Sequence, residues 1–422
     1  MIKRKYLKTI IPLLLLSMTL IAYARSNGEP QNLFDAVGAD DAGAVKRLIA
    51  QGADPDERDY LSNTPLILGA VWGSTKAVEA LLDNGADINA KCDDKSTALM
   101  GACLAGREAM AELLLDRGAE IDARDEKGQT ALTWAVIKNR KKIVNILLES
   151  GADIHSSDNN GDTALHHAAF FGRIEIARLL IGKGARVDEK ADGGFTPLIV
   201  AALTSHPKII KLLLKNGADA TIQDDNGQTA LVRAAENGPV ESFKLLLNAD
   251  PNIKINQGCN RTLLGRAAGG GHKQIVDILL SIGADVNLIS KTGSTSLIYT
   301  ASVSKEHVEI AKSLIANGAD VNHTDNDGWS ALMWAASWNF SRISQVLIDS
   351  GARVDQANNE GWTPLMRAAK AGHKETLQIL LQNGADVHRR NKAGKNALDY
   401  AKDGDILRML QQTAVEAKSG GD

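Results

Sequence analysis

Hydrophobic and polar positions along this chain follow a pattern that repeats every 33 residues. Each unit is numbered here from its threonine, position zero; leucine then stands at +2 in every unit, and small residues recur at +5 and +6. A second apolar run of leucine and isoleucine follows in each unit. Because both runs have helical spacing, each unit predicts two helices. Position zero falls at Gln31, Thr64, Thr97, Thr130, Thr163, Thr196, Thr229, Thr262, Thr295, Ser330, Thr363 and Asn396.

Residues at the ends of the predicted helices support these boundaries. Threonine at zero can cap the first helix, and proline follows it at the first helical position in three units. Glycine at +9 ends the first helix, and another glycine ends the second, a place that favours the left-handed backbone conformation. Motifs such as D-N-N-G between the units predict tight turns. In some units other residues replace these glycines: Lys95 in a turn, and Asn139, Ser205 and Asn339 at +9.

The period, together with the Thr163-Ala164-Leu165-His166 motif and its relatives, resembles the ankyrin repeat family over about residues 31–416. The resemblance implies an all-α repeat solenoid of about twelve ankyrin-type units in a curved stack, each with two antiparallel helices and a β-hairpin-like finger. The more polar end units, 31–52 and 396–416, are predicted caps. Residues 25–30 and 417–422 are predicted flexible tails.

The first 24 residues have the pattern of a secretory signal peptide. A basic start precedes an apolar run over 10–21, and Ala22-Tyr23-Ala24 forms a small-x-small cleavage site. The alternative, a membrane anchor, is disfavoured because the run is shorter than the roughly 20 residues needed to span a bilayer. We therefore expect cleavage after Ala24, only transient membrane contact through this segment, and a periplasmic or secreted bacterial protein.

Charge and cysteine content narrow the function classes. Without residues 1–24, 44 lysines and arginines remain against 51 aspartates and glutamates, a net charge of −7 that disfavours nucleic acid. No phosphate-binding or metal-binding motif occurs, so no cofactor is expected. The cysteine number is odd, which argues against a disulfide framework. Cys103 falls at a packed position, whereas Cys259 in a finger is a candidate free thiol that could pair with a partner protein.

Aromatic residues mark the candidate site. The resemblance implies that positions −4, −3, −1, +7 and +8 vary and line the concave face of fingers and first helices, with +4 at its border. Although only 4% of the chain is aromatic, most aromatic residues fall at these positions, and four of the six tryptophans lie within 329–362. Aromatic residues anchor many protein interfaces. The alternative is that the rings pack between units as core. The predicted protein-binding residues are Trp72, Phe170, Phe171, Phe195, Tyr299, Trp329, Trp334, Trp338 and Trp362.

The sequence thus predicts a monomeric, non-enzymatic protein–protein interaction module acting outside the cytoplasm. His167 at +4 is expected to face the binding surface. The +4 arginines Arg233, Arg266 and Arg367 either contact an acidic partner or form solvated surface. Two alternatives remain open. One is a dedicated inhibitor or protector of a single envelope or secreted enzyme, with the two-residue insertion within 302–307 adding contacts. The other is a secreted protein that interacts with a host.

Overall fold

Twelve helix pairs follow one another along the chain. The computed structural model describes residues 29–250, 255–256 and 262–419, without the side chains of 416–419. The first helices of the units are α1 (Leu33–Gly38), α3 (Pro65–Trp72), α5 (Ala98–Ala105), α7 (Ala131–Ile137), α9 (Ala164–Phe170), α11 (Pro197–Leu203), α13 (Ala230–Asn237), α15 (Leu263–Gly269), α17 (Ser296–Ala301), α19 (Ala331–Ser337), α21 (Pro364–Ala371) and α23 (Ala397–Tyr400). The second helices are α2 (Ala42–Ala50), α4 (Thr75–Asp83), α6 (Glu108–Asp116), α8 (Lys141–Glu149), α10 (Ile174–Gly182), α12 (Pro207–Lys215), α14 (Val240–Ala249), α16 (Lys273–Ser281), α18 (Val308–Ala316), α20 (Ser341–Asp349), α22 (Lys374–Gln382) and α24 (Gly404–Ser419).

These pairs confirm the predicted all-α repeat solenoid. The final helix, α24, continues to Ser419, so residues 417–419 are helical where a flexible tail was predicted. None of the helices in the described part of the chain has the length and apolar character needed to cross a bilayer. The predicted signal peptide, residues 1–24, lies outside the described residues, as do 25–28 and 420–422 of the predicted tails.

The caps form as the sequence predicts. The Thr64 hydroxyl accepts a hydrogen bond from the Ile67 N–H at 3.3 Å, which satisfies one of the unpaired donors at the start of α3. In α9, the His166 side chain takes part as well, because its Nδ1 accepts from the Thr163 N–H at 3.2 Å. The backbone carbonyl of Phe195, in the next finger, lies 3.0 Å from His166 Nε2. His166 therefore connects the start of α9 with the next finger.

The residues that replace glycine adopt the glycine conformation. The backbone φ angles of Lys95, Asn139, Ser205 and Asn339 are 64°, 61°, 65° and 56°. A left-handed conformation costs a residue with a Cβ roughly 1–2 kcal/mol. The repeat geometry therefore fixes the backbone at these sites even where the sequence departs from it.

Side chains in the fingers connect each unit to the next. The Asp56 carboxylate at −8 accepts from the Asp87 N–H of the following finger at 3.0 Å. The same bond recurs 31 or 33 residues apart along the chain, so it is a repeated contact between units. The other acceptors at −8 are Asn89, Asp122, Asp188, Asn287, Asn322 and Asp355.

The chain divides into two compact units. The first holds the residues up to 201 together with 208–219 and 223–227, and the second holds 202–207, 220–222 and the residues from 228 onward. In the first unit α3 packs against α5, and in the second α15 packs against α17, so like helices of consecutive repeats form the core. Folding of 31–416 as a single domain stays a prediction.

Candidate binding surface

Five side chains of the second compact unit stack on one another in a continuous series, named here the Trp–Arg stack: Trp334, Trp329, Arg367, Trp362 and Tyr400. The ring centroids of Trp334 and Trp329 are 4.6 Å apart. The Arg367 guanidinium carbon lies 4.6 Å from the Trp329 ring centroid and 5.4 Å from that of Trp362. The rings of Trp362 and Tyr400 stack at 4.3 Å. The guanidinium carbon of Arg367 therefore lies within cation–π distance of two indole rings.

The repeat register builds this stack. Trp329 and Trp362 are at −1, on successive fingers, whereas Trp334, Arg367 and Tyr400 are at +4, on α19, α21 and α23. Each −1 ring thus lies between the +4 side chain of its own unit and that of the next. Finger turns fix the backbone that carries the two indoles. The backbone N–H of Trp329 donates to Asp325 Oδ1 at 2.8 Å, and that of Trp362 donates to Asn358 Oδ1 at 2.9 Å.

The stack combines exposed aromatic surface with positive charge. Trp338, the first residue after α19, is 48% exposed, and the rings of the Trp–Arg stack are half-buried. The Lys370 ammonium lies 4.8 Å from the Trp362 ring centroid, and that of Lys395 lies 5.8 Å from the Tyr400 ring. Cations above aromatic faces are attracted by the ring quadrupole. The surface can therefore contact apolar and anionic groups together.

Several other +4 side chains turn inward, which corrects the predictions for Tyr299, His167 and Arg266, the last of which is buried in an ion pair with Glu236. Tyr299 is only 7% exposed and its hydroxyl donates to Ser290 Oγ at 2.9 Å, so it does not belong to an exposed surface. His167 is 1% exposed, with its Nε2 3.2 Å from Asp158 Oδ2, so it does not face a partner either. For Tyr299 and His167, the +4 side chain bonds to the residue nine positions earlier, at −5 in its own finger.

This bridge between +4 and −5 recurs in three further units. The Trp134 indole N–H donates to Asp125 Oδ2 at 3.0 Å. The other two pairs are Trp334 with Asp325 and Asn391 with Tyr400. Sequence reasoning missed the bridge. Its signal was present as a hydrogen-bonding group at +4 matched by Asp, Ser or Asn at −5.

The two aspartates of the first compact unit respond differently to this bridge. Burial raises the pKa of Asp125, and the hydrogen bonds from its backbone neighbours and Trp134 do not offset it. Burial also acts to raise the pKa of Asp158, but the hydrogen bond and charge of His167, together with the backbone N–H groups of Asn160 and Asp162, outweigh it, so the pKa falls below its ordinary value. Both side chains stabilise the buried carboxylate, but only beside the imidazole do the stabilising contacts exceed the effect of burial.

The remaining predicted residues lie in the first compact unit. Phe170 and Phe171 are half-buried and meet edge to face, with ring centroids 4.9 Å apart, and the Arg173 guanidinium lies 5.7 Å from the Phe171 ring. Phe195 and Trp72 are also half-buried. Tyr60, at −4 in an early finger, is 77% exposed and is not part of the Trp–Arg stack.

The two cysteines of the described residues, Cys92 and Cys103, are partly or fully buried. Cys103 is fully buried, which confirms the packed position and raises its pKa. Burial, with the hydrogen bond and charge of Asp94, raises the pKa of Cys92 to about 12. Cys259 lies outside the described residues. In the described part of the chain, no group of three or more His, Cys, Asp or Glu side chains could hold a metal ion.

The loop that contains the insertion, 302–307, makes a hydrogen bond to the next unit. Glu306 Oε1 accepts from the Ile343 N–H at 2.9 Å, in the first turn of α20. A carboxylate at a helix N-terminus satisfies a free N–H and interacts favourably with the helix dipole. At least one side chain of this loop is therefore used within the fold.

Comparison with known proteins identifies the family. The family profile described as "Ankyrin repeats (3 copies)" matches residues 33–125, 91–158, 120–191, 184–257, 251–325, 298–391 and 355–418. The chain belongs to the ankyrin repeat family. A similar solved structure is the human ASB11 ankyrin repeat domain, 28% identical, with a TM-score of 0.47, covering 55% of this chain and all of that one. No curated protein matched. Ankyrin repeat proteins are generally non-enzymatic interaction modules, and this ankyrin repeat chain is accordingly a protein–protein interaction module.

Proposed function

We propose that this ankyrin repeat protein acts outside the cytoplasm and binds another protein through the Trp–Arg stack and Trp338. The observation that carries the proposal is the continuous stack of half-buried aromatic side chains on three consecutive repeats. Tryptophan, tyrosine and arginine are the residues most enriched among energetically dominant interface contacts. A contiguous aromatic surface on a repeat array is therefore a suitable docking site.

The stack is also held in place before a partner arrives. Finger hydrogen bonds position Trp329 and Trp362, and the Arg367 guanidinium separates the two indoles. Binding then orders few side chains, and ordering a side chain costs roughly 0.5–1.5 kcal/mol. Trp338, which is 48% exposed, offers the apolar area that a partner would cover.

We expect the double substitution Trp329→Ala with Trp362→Ala to abolish partner capture from a bacterial cell-envelope extract. Removing two dominant contacts at about 2 kcal/mol each should weaken binding by more than 100-fold. The readout is the set of proteins retained by the immobilised chain. Tyr60→Ala, which removes an exposed aromatic from another finger, is the matched control and should retain the partner.

Two outcomes distinguish the alternatives or reject the proposal. One partner recovered in equimolar amount would indicate a dedicated inhibitor or protector, whereas several weakly held proteins would indicate a scaffold. A partner found only in a host extract would favour the host-interacting alternative. An unchanged partner set for the double variant, with helical content preserved by circular dichroism, would exclude the stack as the binding site.

Export is proposed from residues 1–24 and has its own test. We expect the chain expressed in bacteria to be recovered from the periplasm or medium with Arg25 as its first residue, because Ala22-Tyr23-Ala24 suits signal-peptide cleavage. N-terminal sequencing reads the cleavage site. A chain lacking residues 2–24 should stay in the cytoplasm. Recovery of the whole chain from the cytoplasm, with Met1 retained, would contradict the proposal.

A further inference from the structure

Two arginines at the same repeat position have different surroundings. Arg266 and Arg367 are both at +4 of their units. The Arg266 guanidinium lies 3.0 Å from Glu236 Oε2, and the arginine side chain is 7% exposed. Glu236 is at +7 of the preceding unit. A carboxylate from the neighbouring repeat therefore neutralises the first of these arginines.

No carboxylate occupies the equivalent +7 position beside Arg367. The +7 residue that precedes Arg367 is Ser337, whose hydroxyl accepts from Arg367 Nε at 3.0 Å. Among the described residues, no carboxylate lies within ion-pair distance of Arg367, and burial alone lowers its pKa. Arg367 is thus a half-buried cation without a counter-charge, although its equivalent in another repeat has one.

The stack determines which part of Arg367 remains available. The ring centroids of Trp329 and Trp362 lie 4.6 and 5.4 Å from the guanidinium carbon, so both indoles are in contact with the group. Its Nε is used by Ser337, which leaves the edge that carries the two Nη groups. That edge is a planar fork of N–H donors whose geometry matches a carboxylate.

Basic side chains slightly outnumber acidic ones around the stack. On the same fingers and first helices, the exposed basic side chains are Arg353, Lys370, Arg389, Arg390, Lys392 and Lys395, and the exposed acidic ones are Asp320, Asp327, Glu360, Asp386 and Asp399. Lys370 lies over the Trp362 ring, so one ammonium is held beside the Arg367 site. Clustered positive charge raises the encounter rate with an acidic surface and favours it over other partners.

We propose that Arg367 pairs with a carboxylate of an aspartate or glutamate side chain in an acidic segment of the partner protein. An apolar side chain of that segment covers Trp338, the residue next to Ser337. The inference rests on the proposed function and specifies the chemistry of its partner. A peptide segment, rather than an anionic polysaccharide, is the occupant because the family binds proteins.

Ser337→Glu tests this by copying the arrangement of Glu236 and Arg266 inside the stack. The probe is a library of short random peptides displayed on phage and selected against the immobilised chain. We expect the enriched peptides to contain aspartate or glutamate. Ser337→Glu should weaken their binding at least tenfold, because it supplies an internal carboxylate and a repulsive charge. Ser337→Gln introduces a side chain of the size of glutamate but without its charge, and should change affinity by less than about threefold. Arg367→Gln should bind as weakly as Ser337→Glu.

Several results would overturn the inference. These are enrichment of peptides without acidic residues, equal binding by Ser337→Glu and the unmodified chain, or no enrichment at all. Tighter binding of sodium polygalacturonate than of any peptide would replace the protein segment with an acidic polysaccharide. An envelope partner kept by Ser337→Glu but lost by the double tryptophan variant would leave the proposed function standing and remove only the acidic contact.

Discussion

Replacing Asp125 by alanine is expected to destabilise the protein by about 3 kcal/mol, because two buried donors and one partly buried donor lose their acceptor at once. The Asp125 carboxylate is 7% exposed, and its Oδ2 accepts from the Trp134 indole at 3.0 Å. Its Oδ1 accepts from the backbone N–H groups of Lys127 and Gln129, both at 2.8 Å. The measurement is the free energy of unfolding in urea, followed by circular dichroism.

A matched pair of variants isolates the bond to Trp134. Asp125→Asn keeps one oxygen for the backbone donors but turns an amide donor toward the indole donor, so we expect a loss of about 2 kcal/mol. Adding Trp134→Tyr should recover part of this loss. It copies the pair in which the Asn391 amide donates to the Tyr400 hydroxyl at 2.7 Å. Equal stability of the single and double variants would show that the bridge contributes nothing.

The bridge also shows where sequence reasoning ended. Helix pairs, caps and turns were predictable because they depend on neighbours within a few residues, such as Thr64 and Ile67. A side chain at +4 was placed on the surface by its register alone. Its direction depends on how the finger folds back over the helix, and that brings Tyr299 to Ser290, nine residues earlier. No local propensity encodes that contact.

The candidate surface was predictable in part for the same reason. Periodicity selected Trp329, Trp334 and Trp362, and the structure brings all three into one stack. The periodicity alone treated Arg367 as a separate charge and did not include Tyr400 in the site. The contact between a −1 side chain and the +4 side chain of the next unit arises only when repeats are stacked. The neutral residue at Ser337 gained meaning only by comparison with Glu236, which occupies the same position beside another arginine.

Replacing His167 by leucine should destabilise the protein by about 3 kcal/mol at neutral pH, because it leaves the Asp158 carboxylate buried without its partner. Both side chains are 2% exposed, and the Nε2 to Oδ2 distance is 3.2 Å. His167→Trp is the matched control, since it copies the pairing of Trp134 with Asp125 and keeps an N–H donor. We expect it to lose less stability than the leucine variant.

The stability of the unmodified chain and that of the His167→Leu variant should change in opposite directions as the pH falls. In the unmodified chain the pKa of Asp158 is lowered by His167, so its stabilisation is complete above the unfolded pKa of about 3.9 and is lost as pH falls through the lower folded pKa. Without His167, burial raises that pKa, as it does for Asp125. The raised group costs stability when charged, so the leucine variant should become more stable as pH falls from neutral through the raised pKa.

Urea unfolding across this range decides between the two signs. The stability difference between the unmodified chain and His167→Leu should shrink as the solution is acidified. Adding Asp158→Asn to the leucine variant removes the titrating carboxylate, so the gain in stability on acidification should disappear. A difference that stays constant from neutral pH to about pH 4, with the carboxylate still present, would show that His167 acts through packing rather than by stabilising the charge of Asp158.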